Sequence, residues 1–165
     1  MREQLHNLHK RATTGSRRMA HVRQQRARAV EAGPALANFA ARMFGRFDVE
    51  ITDVNLKTRR RISDKAHKDY NDRFDKVGDT VRLKVICDTA EQVAQVQRQI
   101  WRQKEMAMSR LGRDYERQGF PFPSEPVITK VKDNFTVPKV HGYRAINTKV
   151  QMPNGVTAEI QVVHR

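Results

Sequence analysis

The sequence predicts an α+β domain in which helices flank one mixed or antiparallel β-sheet. Three observations carry that expectation. The segment 79–88, DTVRLKVICD, alternates so that Val81, Leu83, Val85 and Cys87 share one face while Arg82, Lys84 and Ile86 share the other, the pattern of a half-buried strand. Helical spacing of apolar residues precedes it at 35–44 and follows it from Thr89. The last forty residues hold three further strand-like runs and no helical one, so the predicted order is α-β-α-β-α-β-β-β.

Composition limits what such a domain does. Among 165 residues, 32 Lys and Arg face 18 Asp and Glu, a formal charge of +14, and 21 of the cations are arginine. That balance calls for a phosphate-bearing partner, either a nucleic-acid backbone or a small nucleotide. No run approaches the roughly 18 consecutive apolar residues of a membrane span. Residues 1–30 carry eight cations and no apolar stretch, so no secretory signal is expected. The single Cys87 excludes an internal disulfide and a Cys-based zinc cluster. Aromatic residues make up only 7% of the chain, which disfavours a stacking platform for single strands.

Residues 1–34 read as a basic helical or partly disordered arm, and residues 35–165 as the domain proper, with a break at Gly33-Pro34. Leu36, Phe39, Ala40, Met43 and Phe44 then define a short amphipathic helix ending near Gly45. DVEITDV, 48–54, alternates as a strand, and 56–70 is a strongly cationic helix candidate. After the core strand, Asp88 or Thr89 caps a helix that turns Val93, Val96, Ile100 and Trp101 inward and runs to about Arg117. GFPFPSEP, 119–126, must be a loop. Strands are expected at 127–131, 142–151 and 156–163. Cys87, on an apolar face, reads as a core thiol rather than a nucleophile.

Several residues point to chemistry. On a helix, Lys57, Arg61 and Lys65 would form one stripe about 12 Å long, either a solvated face or a seat for polyphosphate. Arg59 and Arg60 thicken that cluster, and Ser63 adds a hydroxyl donor. Asp79, at the mouth of the core strand, is expected to be exposed and directed beyond the sheet. In the last strand Val156, Ala158, Ile160 and Val162 face the core, which leaves Glu159 and Gln161 on the other face. These acids suit either salt bridges or a Mg²⁺ shared with substrate phosphates. A two-residue turn would set Val150 opposite Glu159. A three-residue Pro153-Asn154-Gly155 loop would set Lys149 there and Asn147 opposite Gln161, and the turn chemistry favours the second. Tyr143, Asn147, Glu159 and Gln161 would then line one surface, with Lys132 and Lys139 bracketing the loop that delivers Tyr143. Tyr143 suits either purine stacking or the core. His141 lacks a second histidine at metal spacing.

The blocks RFDKVGDTVRLKVICDT and VKDNFTVPKVHGYRAINTKVQMPNGVTAEIQVV resemble the RelA/SpoT-type alarmone synthetase domain, its toxic effector or small-synthetase branch in particular. The second block is similar to the signature K-D-x-x-x-x-P-K-x-x-G-Y-x-x-I-x…E-I-Q from Lys132 to Gln161, and the likeness covers about two-thirds of the chain. The resemblance implies a nucleotidyltransferase-like synthetase fold that transfers pyrophosphate from ATP to the 3′-hydroxyl of a purine nucleotide. It implies Asp79 and Glu159 as catalytic residues and ligands of Mg²⁺. ATP would fall to Lys57, Arg59, Arg61, Ser63, Lys65 and Arg82, with the family's basic motif laid either on Lys57-Arg59-Ser63 or on Lys57-Arg61-Lys65. The acceptor would fall to Lys132, Lys139, His141, Tyr143, Arg144, Asn147 and Gln161. Asn147 stands where the family commonly has His and His141 where it often has Asn, so acceptor recognition is where this chain departs from the pattern. Between Trp101 and Val131 lies an insertion bearing Arg110, Arg113 and Arg117. The implied products are (p)ppGpp or (p)ppApp, made as a growth-inhibiting toxin in a bacterial cytoplasm, with an immunity or antitoxin protein as partner. Because the chain stops four residues after Gln161, the toxin part of a larger secreted protein is the expected context. Pyrophosphorylation of the 3′ end of tRNA, and a non-catalytic basic RNA-binding module, are the alternatives.

Overall fold

The computed structural model describes the backbone of residues 2–118, 122–138, 142 and 144–165. Helix α1 spans Arg2–Phe44, β1 Glu50–Ile51, β2 Asn55–Leu56, α2 Arg59–Tyr70, β3 Val81–Cys87, α3 Ala90–Gln118, β4 Val127–Asp133, β5 Ile146–Gln151 and β6 Thr157–His164. The strands form one mixed sheet in the order β1-β3-β6-β5-β4, and β2 adds to β3 beside β1. Strands β3 and β6 run parallel, and the other pairs are antiparallel. The predicted α+β class and mixed sheet are therefore present.

The predicted break at Gly33-Pro34 is not. Helix α1 continues through Pro34 because its buried residues Val22, Ala29, Ala32, Leu36, Phe39, Ala40 and Met43 keep one helical face against the rest of the molecule. Gly33 is buried, and a β-carbon there would stand 3.5 Å from Val54 Cγ1, while Pro34 faces solvent. Packing along the whole face outweighs the hydrogen bond that proline removes. The later half of the basic arm thus docks on α2, where Val22 joins Ile62, Ala66, Phe74 and Val77 in a small apolar cluster.

The main core lies between one sheet face and the α1–α3 layer. Val81, Leu83, Val85 and Cys87 of β3 and Ala158, Ile160 and Val162 of β6 meet Leu36, Phe44, Val93, Val96 and Ile100. Cys87 is buried and unpaired, and burial pushes its thiol up, as a core thiol requires. Thr89 is the N-cap of α3, accepting from Gln92 N at 3.1 Å while Gln92 Oε1 accepts from Thr89 N at 3.0 Å, a reciprocal capping box. Trp101, expected inward, is 38% exposed, because it sits at the rim of the apolar stripe, and Lys104 lies over its ring at 4.8 Å. Of the predicted strand 48–54 only Glu50–Ile51 is strand; it ends before Thr52, whose hydroxyl accepts from Lys84 N at 2.9 Å, and β2 follows beyond that span at Asn55–Leu56. Strand β5 starts only at Ile146. No helix among the described residues is long and apolar enough to cross a membrane.

Candidate active site

The polar face of the sheet is built by strand register. Lys130 of β4, Lys149 of β5, Glu159 of β6 and Arg82 of β3 form one cross-strand row. Lys132, Asn147, Gln161 and Lys84 form the next. The β5–β6 hairpin uses the expected three-residue loop: Gln151 pairs with Thr157, Lys149 with Glu159 and Asn147 with Gln161. Gly155 takes the left-handed conformation at φ 84° that this loop requires. Gln161 Nε2 donates to Asn147 Oδ1 at 3.2 Å, so the two amides face the same way.

Asp79 sits just before β3, at the same end of the sheet as Glu159. It is buried, 8% exposed, which corrects the expectation of an exposed carboxylate. The reason is its company. Lys57 Nζ and Lys65 Nζ both donate to Oδ2, at 2.7 and 2.9 Å. Oδ1 is buried with no hydrogen-bond partner. Burial pushes the carboxyl up, but the hydrogen bonds from the two lysines outweigh it and hold Asp79 below the ordinary carboxylate value. The lysines respond differently. Burial dominates at Lys57 and lowers it, helped by Lys65 and Arg82 nearby, whereas at Lys65 the bond and charge of Asp79, with Tyr70 and Glu159, overcome burial and raise it.

The predicted stripe of Lys57, Arg61 and Lys65 is not one helical face. Thr58 is the N-cap of α2, so Lys57 lies outside the helix, where its N–H donates to Thr80 O at 2.8 Å beside the β2–β3 ladder. Lys57 and Lys65 still converge, from a sheet edge and a helix, on one carboxylate. Arg59, Arg60 and Arg61 crowd the first turn of α2, exposed and without an acid in that turn. Ser63 is half-buried, and its carbonyl accepts from Arg18 Nη2 at 3.3 Å. Lys132 and Arg144 are exposed. The assignments to Lys139, His141 and Tyr143 lie outside the described residues.

Two residues that the sequence reading did not place in the site take part in it. Lys149 Nζ donates to Glu159 Oε2 at 2.7 Å and also to the Gly78 carbonyl, next to Asp79. The hairpin register already placed it opposite Glu159. Asp133 accepts from Phe135 N at 2.8 Å, Thr136 N at 3.2 Å and Thr136 Oγ1 at 2.9 Å, and from Gln97 Nε2 of α3. It folds the start of the loop that leads to the G-Y segment and ties it to α3. Burial raises the Asp133 carboxyl, and the Thr136, Phe135 and Gln97 hydrogen bonds bring it below its ordinary value. Its place directly after Lys132 in the K-D signature was the available signal.

Asp79, with one bare buried oxygen, and Glu159 thus stand among lysines and arginines at one sheet end. The family profile described as the region found in RelA / SpoT proteins matches residues 55–164, and the chain belongs to this family. Small alarmone synthetase 2 from Bacillus subtilis has a similar structure, with a TM-score of 0.61 at 20% identity over 86% of this chain and 71% of that one. Small alarmone synthetase 1 from Bacillus subtilis bound to its product pppGpp gives 0.55 at 18% identity, over 82% and 68%. The Type VI effector Tas1, in complex with its immunity protein, gives 0.54 at 20% identity over 86% of this chain, which spans 60% of that one. At these identities the structural likenesses establish the fold. No curated protein matches the sequence.

Proposed function

We propose that the chain transfers the β,γ-diphosphate of ATP to the 3′-hydroxyl of a purine nucleotide, releasing AMP and giving (p)ppGpp or (p)ppApp. The observation that carries this reading is Asp79, which two lysines hold by one oxygen while the other is buried and unpartnered, beside Glu159. An orphaned carboxylate oxygen costs about 1–3 kcal/mol, so its retention points to a ligand that the folded chain awaits.

The donor phosphates have a seat at Lys57, Lys65 and Arg82 and at the N-terminus of α2, where the helix dipole and three arginines attract anions. An arriving polyphosphate competes with Asp79 for Lys57 and Lys65 and releases the carboxylate. The acceptor lies along the row of Lys132, Asn147 and Gln161. Its 3′-oxygen forms a bond to the β-phosphorus, the bond from that phosphorus to the α,β-bridging oxygen breaks, and AMP leaves. Glu159 takes the hydroxyl proton through Oε1, since Oε2 is held by Lys149. Little covalent work falls to the protein; in-line positioning and cations around the developing charge supply most of the acceleration.

Among the described residues no cluster of three or more His, Cys, Asp or Glu forms a self-sufficient metal cage. Mg²⁺ does not ask for one, because it keeps waters and takes one or two carboxylates plus substrate phosphates. Asp79 through its bare Oδ1, and Glu159, would hold it. Bound there, the ion would neutralise phosphate charge and favour the in-line geometry.

The fold shared with an effector that has an immunity protein supports a growth-inhibiting role with a dedicated inhibitor as partner. Exposed Arg17, Arg23 and Arg28 on α1 favour a second acceptor class, the 3′ end of RNA, since these cations lie on another element. Incubation with γ-³²P-ATP and each purine nucleotide or tRNA in turn, followed by thin-layer chromatography, separates the readings. A labelled 3′-diphosphate nucleotide is expected. Labelled tRNA that falls steeply with salt would favour the second reading, and no transfer to any acceptor would refute both.

A further inference from the structure

Glu159 is the one acid in its cross-strand row, with Lys130 and Lys149 on one side and Arg82 on the other. Among these, Lys149 makes the direct contact, and it is the only hydrogen-bond partner of Glu159 among the described residues. The pair is well enclosed, with side-chain exposures of 28% for Lys149 and 14% for Glu159. The same ammonium also donates to the backbone carbonyl of Gly78 across the sheet, at a separation of 71 residues in the chain. Gly78 is joined directly to Asp79 and packs on β6, where a β-carbon would stand 3.3 Å from Thr157 Cγ2. Lys149 therefore bridges the two segments that carry the acidic residues.

We propose that Lys149 is the positioning residue of the transfer site. By holding Oε2 of Glu159 against the Gly78 carbonyl, it sets the spacing of Glu159 from Asp79 and turns Oε1 toward the acceptor hydroxyl. The assignment rests on the pyrophosphotransfer reading. It follows from geometry: a lysine that served only the fold would need one carboxylate partner, whereas this one spends its second donor on the backbone that carries the other catalytic acid. A flexible glutamate released from that brace would sample several rotamers, and a misplacement of about 1 Å at a reacting group costs on the order of 10²-fold in rate.

The test compares steady-state kinetics of wild type, Lys149→Met and Lys149→Arg, each also in a Glu159→Gln background, with thermal melting as the check on folding. Lys149→Met is expected to lower kcat roughly 10- to 100-fold with KM for ATP changed less than about threefold. Lys149→Arg, which keeps a cation and two donors, recovers part of that loss. In the Glu159→Gln background Lys149→Met adds less than about twofold, because the residue acts through Glu159. The ion pair itself is read without turnover from the lysine ammonium ¹H–¹⁵N resonance that Lys149→Arg removes; it should broaden or vanish in Glu159→Gln. Wild-type kcat in Lys149→Met, an equal loss in both backgrounds, or a loss confined to KM for ATP would overturn the positioning role while leaving the transferase reading intact. A wild-type protein that turns over no acceptor removes the transferase reading itself, and this assignment with it.

Discussion

Replacing Asp79 by asparagine probes the best-defined electrostatic feature of the site. The wild-type carboxylate accepts two charge-assisted bonds on one oxygen, from Lys57 at 2.7 Å and Lys65 at 2.9 Å. Each such bond contributes about 1.5–3 kcal/mol. The asparagine oxygen can still accept from both ammoniums through its two lone pairs, but the bonds lose their charge assistance and both lysines lose their neutralising charge. The amide NH₂ takes the position of the orphaned Oδ1 and finds no acceptor there either, so that penalty cancels between the two proteins. Lys57 is only 12% exposed and pays most of the loss; Lys65, at 30%, recovers part of it from water. The net cost is about 2 kcal/mol, or roughly 4–8 °C in Tm for a chain of this size.

The pH dependence gives the sharper reading. Asp79 has its folded-state pKa depressed, so its contribution is fully present above the unfolded carboxylate value of about 3.9 and is lost as pH falls from there through the folded value. The gap between wild type and Asp79→Asn in thermal or urea melts should therefore be constant from pH 5 to 7 and close below about pH 4. Lys57→Met in the Asp79→Asn background should restore part of the stability, since it removes the stranded ammonium. A variant as stable as wild type at pH 7, or a gap independent of pH down to 3, would refute the pairing.

Three further outcomes are expected. Glu159→Gln should cut kcat by about 10²–10⁴-fold in the labelled-ATP assay with a smaller fall in Tm than Asp79→Asn, because one bonded ammonium, Lys149, rather than two loses its neutralising charge. Gly155→Ala places a β-carbon at φ 84°, 2.8 Å from Phe122 Cζ; the backbone term alone costs roughly 1–2 kcal/mol, and calorimetry should show Tm lower by about 2–8 °C. Pro34→Ala should stabilise by roughly 2 kcal/mol, since it restores an interior helix hydrogen bond at an exposed position and loses only the stiffness of proline in the unfolded chain; a lower midpoint in urea would count against a continuous α1.

The hairpin of β5 and β6 was legible to the residue because turn chemistry and alternation act locally: Pro153-Asn154-Gly155 selects the loop, and the loop sets Lys149 against Glu159. The core face of β3 was legible for the same reason. The continuity of α1 was not, because Gly33 and Pro34 are local breakers and what overrides them is tertiary burial from Val22 to Met43. The burial of Asp79 was hidden for a related reason. Spacing put Lys57, Arg61 and Lys65 on one helix, yet the Thr58 cap starts α2 at Arg59, two residues past Lys57, which reaches Asp79 from the sheet edge. Lys149 and Asp133 were visible by position, but their roles depend on contacts 71 and 36 residues away, to Gly78 and Gln97.

The central claim is that ATP loses its two terminal phosphates as one unit. Anion-exchange chromatography of a reaction with ATP, Mg²⁺ and the preferred acceptor measures this directly, by the ratio of adenine product to new 3′-diphosphate. The expected result is AMP and the 3′-diphosphate in equal amounts, with no ADP, and both products formed about 10²–10⁴-fold more slowly with Glu159→Gln. Formation of ADP, or AMP without a matching diphosphate, would contradict it.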